Sequence, residues 1–182
     1  MVPILNPKEL GMTEAEIERR TGLKIDDVTA ALASYVRTIR AGDSRFDRYA
    51  SGNQRALSDL EKAGLAVFRG KARCNTCHVG PNFTDENFHN TGVAWRDGRL
   101  VDLGAGEGRF KVPTLREVAR TAPYMHDGSL ATLEDVVDYY DRGGNANPGL
   151  DEDIRPLHLN AEEKRALVAF LRSLSGTIRE GK

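Results

Sequence analysis

The sequence predicts an all-helical domain. Three observations carry that expectation: an apolar stripe at helical spacing between Ile25 and Ile39, helix-start signatures at Thr13, Thr132 and Asn160 that each precede an apolar face, and no segment with the alternation of a strand. The chain has 182 residues, 40% of them hydrophobic, which suits one ordinary domain with its own core. Its 26 basic and 27 acidic residues leave a net charge of -1 without a long run of either sign, so no nucleic-acid or membrane-surface footprint is visible. No apolar run approaches the roughly 20 residues needed to span a bilayer. Residues 1–10 lack the basic start and apolar centre of an export signal, so a soluble chain without its leader is expected.

Taken in order, Thr13-Glu-Ala-Glu16 has the form of a capping box, and Ile17 should sit on the inner side of a short helix ending near Gly22. Ile25, Val28, Leu32, Tyr35, Val36 and Ile39 recur at steps of three and four and predict a core helix from Ile25 to Arg40, stopped at Gly42. Residues 42–49 and 51–53 read as turns. Leu57, Leu60, Val67 and Phe68 share one face of a third helix running toward Cys74. From Gly80 to Gly108 no period persists and Gly, Asp, Asn and Pro abound, the pattern of a long functional loop. Residues 112–117 read as a short helix start, and residues 121–128 as an ordered turn. Thr132-Leu-Glu-Asp135 caps a helix with Leu133, Val136, Val137 and Tyr140 inward, Tyr139 outward and Gly143-Gly144 as its stop. Asn160-Ala-Glu-Glu163 opens the last helix, which buries Leu167, Phe170, Leu171 and Leu174 before Gly176.

Chemistry enters at Cys74-Asn-Thr-Cys77-His78. Cys-x-x-Cys-His is the attachment pattern for c-type haem: two thiols on one turn can each add to a vinyl group, and the adjoining imidazole then becomes an iron ligand. A structural zinc site would need four Cys/His ligands, and the other histidines, His89, His126 and His158, form no second cluster. A redox Cys-x-x-Cys normally follows a strand, whereas helix precedes Cys74. A disulfide across so short a loop leaves His78 unexplained. The expected molecule is thus a cytochrome c-like helical domain with long loops around one covalent haem c, with His78 as proximal ligand. Such haem is attached outside the cytoplasm, which implies a periplasmic protein. For the sixth ligand, spacing favours Met125, 47 residues beyond His78 in a loop, with Tyr140 as the rival.

Four stretches carry a family resemblance: residues 70–81 around the haem motif, Arg109-Phe-Lys-Val-Pro-Thr-Leu-Arg116, Thr121-Ala-Pro-Tyr-Met-His-Asp-Gly128 and Thr132-Leu-Glu-Asp-Val-Val-Asp-Tyr-Tyr140. Together they resemble the second haem domain of bacterial di-haem cytochrome c peroxidases and the related MauG enzymes, over about residues 25–176. The resemblance implies division into residues 1–24, a remnant of the segment over the family's first haem, and residues 25–182, a cytochrome c-like domain. It places the distal ligand on Tyr140, overruling Met125. It also implies a calcium ion between two haems, with Thr121 and Pro123 offering backbone oxygens. In the amino-terminal remnant, Asn6-Pro-x-Glu9 is similar to the family's peroxide-binding segment, with Glu9 as acid/base and Pro3 lining the pocket. Lys111 and Arg116 are candidates for pairing with haem propionates. The earlier Cys-x-x-Cys-His motif of the family, where peroxide reacts, is absent from this sequence, and Ala72 stands where MauG places a tryptophan. The implied role is electron transfer within a peroxidase or MauG-type oxidoreductase system that handles hydrogen peroxide. The implied partner is a redox protein, with the peroxide site on a second haem-bearing chain or on a segment absent from this sequence. The alternatives are a stand-alone or complex-bound electron-transfer cytochrome, and a single-haem peroxidase aided by Glu9 or His126.

Overall fold

Thr13 starts the first helix through a reciprocal cap: its hydroxyl accepts from the backbone N–H of Glu16 at 3.3 Å, while the Glu16 carboxylate accepts from the N–H of Thr13 at 2.9 Å. The computed structural model describes residues 11–180 of the chain. They fall into two units, one within residues 1–40 and 178–182 and one spanning Ala41–Thr177. Pro3, Asn6 and Glu9 lie outside the described residues.

In the first unit, α1 (Glu14–Thr21) ends at Gly22, whose φ of 70° suits glycine, and Ile17 is buried. Helix α2 (Ile25–Thr38) forms over almost the predicted span, but none of its residues is buried. The expected core helix is thus corrected: Tyr35 and Val36 are 54% and 60% exposed. Periodicity marks one face as apolar without saying what covers it.

The second unit contains the core. Helix α3 (Arg45–Ala50) replaces one of the predicted turns, because Ser44 and Asp47 form a capping box. A third box, Ser58 with Glu61, starts α4 (Asp59–Arg69). Thr132 caps α5 (Leu133–Asp141) and Asn160 caps α6 (Ala161–Ser173), as the sequence indicates. Helix α4 buries Leu65 and Phe68, with Leu57 buried just before its start, while Leu60 faces outward at 47% exposure, contrary to expectation. Helices α4 and α6 cross at Gly64, where a Cβ would lie 1.9 Å from the Ala166 carbonyl oxygen and 2.8 Å from Phe170 Cβ. The contact admits only hydrogen at that position. Beside it Phe68 and Phe170 meet at 5.0 Å between ring centroids, and Phe46 and Phe83 add edge-on contacts.

The all-helical expectation is overturned, since the chain mixes helices with small antiparallel ribbons. Strand β1 (Arg40–Gly42) precedes α3. Within residues 80–111, β2 (Phe88–His89) pairs antiparallel with β5 (Phe110–Lys111), and β3 (Trp95–Arg96) with β4 (Arg99–Leu100). A last strand, β6 (Thr177–Arg179), follows α6. Two-residue strands are too short to display an alternating pattern, which is why the segment reads as structureless loop. Residues 112–117 do not begin a helix: Pro113 lacks a donor, and Glu117 has φ 62°, so only a 3-10 turn follows at Val118–Arg120.

Asn90 ties the ribbon loop to the segment after α5. Its side-chain amide donates to the carbonyl of Glu107 at 2.8 Å and to Asn147 Oδ1 at 3.1 Å, and its Oδ1 accepts from the N–H of Gly92 at 2.9 Å. The backbone carbonyl of Asn90 in turn accepts from the N–H of Asp151 at 3.0 Å. This network fixes where His89 and Asp151 stand.

Candidate functional site

Helix α4 breaks at Gly70, and Arg73 adopts φ 52° to lead into a 3-10 turn at Cys74–Thr76 that presents both thiols and His78 to one cavity. The cavity measures about 460 Å3, and its lining includes Phe68, Val112, Leu133 and Leu171. Burial pushes the Cys74 thiol up to about 12, and burial together with Asp85, Asp151 and Asp153 raises Cys77 to about 11. The thiols are therefore protonated and unpaired at neutral pH, and no disulfide joins them.

His78 Nδ1 lies 2.8 Å from the carbonyl oxygen of Phe83. A carbonyl only accepts, so Nδ1 carries the proton and Nε2 keeps its lone pair. Burial also depresses the His78 pKa against the opposing pull of that hydrogen bond, which keeps the ring neutral. A neutral imidazole oriented through its second nitrogen is the form that ligates iron. Two adjacent thiols, a ligand-ready imidazole and an apolar cavity of cofactor size fit a covalently attached haem.

Tyr140 and Met125 both line this cavity, so the geometry brings both candidate sixth ligands to it. Burial drives the Tyr140 phenol well above its ordinary range, with Tyr139 adding and the Thr91 side chain opposing. Tyr139 does not point away as the helical pattern suggests. It is 3% exposed and its hydroxyl donates to the Thr91 carbonyl at 2.9 Å. Met125 takes φ 68°, a conformation unusual for a side chain of its size. Thr121, Pro123 and His126 also line the cavity, the last stacked on Phe110 with centroids 3.5 Å apart. Lys111 lines it too, paired with Glu86. Arg116 is not among the lining residues: it donates to Asp47 at 2.6 Å and to the carbonyl of Pro81 at 2.8 Å.

Sequence reasoning missed a charged cluster at the same cavity. His89 Nδ1 lies 2.6 Å from Asp151 and 4.0 Å from the Cys77 sulfur, and its Nε2 lies 3.0 Å from Asp85. Nearby Arg73 pairs with Asp153. The partners are up to 80 residues apart, so no local motif announces them. Burial works against a charged His89, but the two carboxylates outweigh it and its pKa rises; both carboxyls lie below their usual range despite desolvation. The raised histidine stabilises the fold fully below its ordinary value of 6.5, and this is lost as pH climbs through the folded value. The depressed aspartates stabilise it above 3.8 and lose this as pH falls. The cluster's contribution should therefore peak between these limits. In urea unfolding followed against pH, His89→Gln should remove the decline above pH 6.5.

No protein-family model matches the chain. It is 42% identical over 81% of its length to the methylamine utilization protein MauG of Methylorubrum extorquens, covering 43% of that protein. It is 36% identical over 84% of its length to the cytochrome-c peroxidase IdrP1 of Pseudomonas sp. (strain SCT), covering 50% of it. Among solved structures it resembles a MauG-like protein associated with microbial copper homeostasis, with TM-score 0.64 and 35% identity over 72% of this chain and 51% of that one. The chain thus spans about half the length of the relatives it matches. With the haem-attachment motif at a cavity of matching chemistry, and with these relatives over most of its length, the chain belongs to the di-haem cytochrome c peroxidase and MauG family.

Proposed function

We propose that this chain carries a c-type haem held by Cys74 and Cys77, with His78 as proximal and Tyr140 as distal iron ligand. In this reading it transfers electrons for a peroxide-reacting haem carried elsewhere, in a peroxidase or MauG-type system of the periplasm. The observation that supports this best is the joint placement of both thiols and a tautomer-fixed His78 on one apolar cavity. Bound haem supplies a one-electron couple whose potential depends on its ligands, their hydrogen bonds and burial.

The protein's own groups divide the work. His78 offers Nε2 because Phe83 holds Nδ1–H. Tyr140 brings a phenol that burial keeps neutral until a cation lies beside it. Lys111 lines the cavity and would neutralise a propionate, and Thr121 and Pro123, which also line it, would offer backbone carbonyls to a calcium ion. The apolar walls, Phe68, Leu133 and Leu171 among them, would limit water around a bound haem. Glu9 would act as acid/base at the partner haem, the site of peroxide chemistry.

The test is the native mass of the assembly isolated from its source, with haem counted on each polypeptide after denaturation. The proposal expects one haem here and a second haem-bearing segment, on this polypeptide or a companion, in the same particle. A lone chain with one haem would instead identify a stand-alone electron-transfer cytochrome.

A further inference from the structure

Three consecutive carbonyls beside the haem motif each accept a hydrogen bond from a different side chain, two of them from residues 114–116. Arg116 Nε donates to Pro81 at 2.8 Å, Thr114 Oγ1 donates to Asn82 at 2.5 Å and His78 Nδ1 donates to Phe83 at 2.8 Å. Phe83 takes φ 53°, which a bulky side chain adopts only when its surroundings enforce it. Its ring is buried and meets Phe46 at 5.2 Å and Phe68 at 6.1 Å, while the Arg116 guanidinium lies 5.4 Å from its centre. The other arm of Arg116 grips Asp47 at 2.6 Å, and Asp47 is itself fixed by Ser44 at the start of α3. Arg116 therefore bridges α3, the 81–83 segment and the Phe83 ring.

We propose that Arg116, with Asp47 behind it, is a positioning residue for His78: by fixing residues 81–83 it sets the strength of the His78–Phe83 hydrogen bond. The inference rests on His78 being the proximal ligand. A strong bond from Nδ1–H to a carbonyl makes the imidazole a better donor, which favours ferric iron. Loosening the clamp should weaken that donation and raise the reduction potential. Arg116 contributes this without entering the cavity, in place of the propionate contact its motif suggests.

The test compares Arg116→Lys, Arg116→Ala and, as a control for mere loss of stability, Val168→Ala, a buried core position that makes none of the clamp's hydrogen bonds. All are prepared as full chains with haem attached. Two quantities are read: the midpoint potential, and the solvent exchange of the His78 Nδ1 proton by NMR of the ferrous form. Arg116→Lys keeps a cation for Asp47 but lacks the planar fork that also reaches Pro81. Both Arg116 variants should show exchange at least tenfold faster, and a roughly tenfold higher ferrous-to-ferric ratio at fixed poise, about 59 mV for one electron. Val168→Ala should lower the unfolding midpoint and leave both readings unchanged. Haem-loaded Arg116 variants with wild-type potential and exchange overturn the clamp alone, as does an equal shift in Val168→Ala. A wild-type chain without covalent haem overturns the haem reading and this proposal with it.

Discussion

Tyr140→Phe is expected to open the sixth coordination position of the proposed haem. Tyr140 extends from α5 to the cavity that His78 also lines, and burial pushes its phenol, already neutral at physiological pH, further from ionisation. A ferric ion beside it would reverse that balance, because a bound cation stabilises the phenolate far more than desolvation penalises it. Phenylalanine keeps the ring's packing and deletes the oxygen, so the fold should survive while the ligand is lost. The ferric absorption spectrum should change to one with a water-filled or empty sixth position. The midpoint potential should rise by on the order of 0.1 V or more, a modest part of the roughly 0.8 V that axial ligands span. Met125→Ala should leave both unchanged. A sulfur-to-iron charge-transfer band in the wild type, lost in Met125→Ala, would transfer the role to Met125.

Gly64→Ala should be among the most destabilising single substitutions outside the haem motif. The added methyl would sit 1.9 Å from the Ala166 carbonyl oxygen and 2.5 Å from its carbonyl carbon. The obstacle is helix backbone, which cannot rotate aside as a side chain can. Helices α4 and α6 must move apart, loosening the contact between Phe68 and Phe170 and shifting the turn that follows α4. Overpacking typically costs about 1–3 kcal/mol, and a backbone clash belongs at or above that upper end. Urea unfolding checks the loss. The replacement otherwise favours helix by nearly 1 kcal/mol, so a neutral outcome would mean the helices cross elsewhere.

The helix boundaries were legible wherever a cap announced them. Thr13, Thr132 and Asn160 each start a helix within a residue of the expected place, because a capping box is a local device that needs no tertiary partner. The ribbons were not legible, since Phe88 and Lys111 pair across 23 positions with only two residues per strand. Nor was the exposure of α2, because an apolar stripe describes a face and not its partner. At the candidate site, the Cys74, Cys77 and His78 pattern is legible from spacing alone, and the structure brings the three to one cavity. The groups around them are not: Phe83 accepts from His78 through its backbone carbonyl, and Asp151 reaches His89 from a distant loop. Arg116 is expected from its motif at a propionate, whereas in the structure it pairs with Asp47 and does not line the cavity, a partner 69 positions away that no local pattern announces.

The most direct test of the central claim is the mass of the denatured chain after expression in cells that attach c-type haem. The account predicts the polypeptide plus one haem, reduced to the bare polypeptide in the Cys74→Ala, Cys77→Ala double variant. A bare wild-type polypeptide, from cells that load their own c-type cytochromes normally, would contradict it.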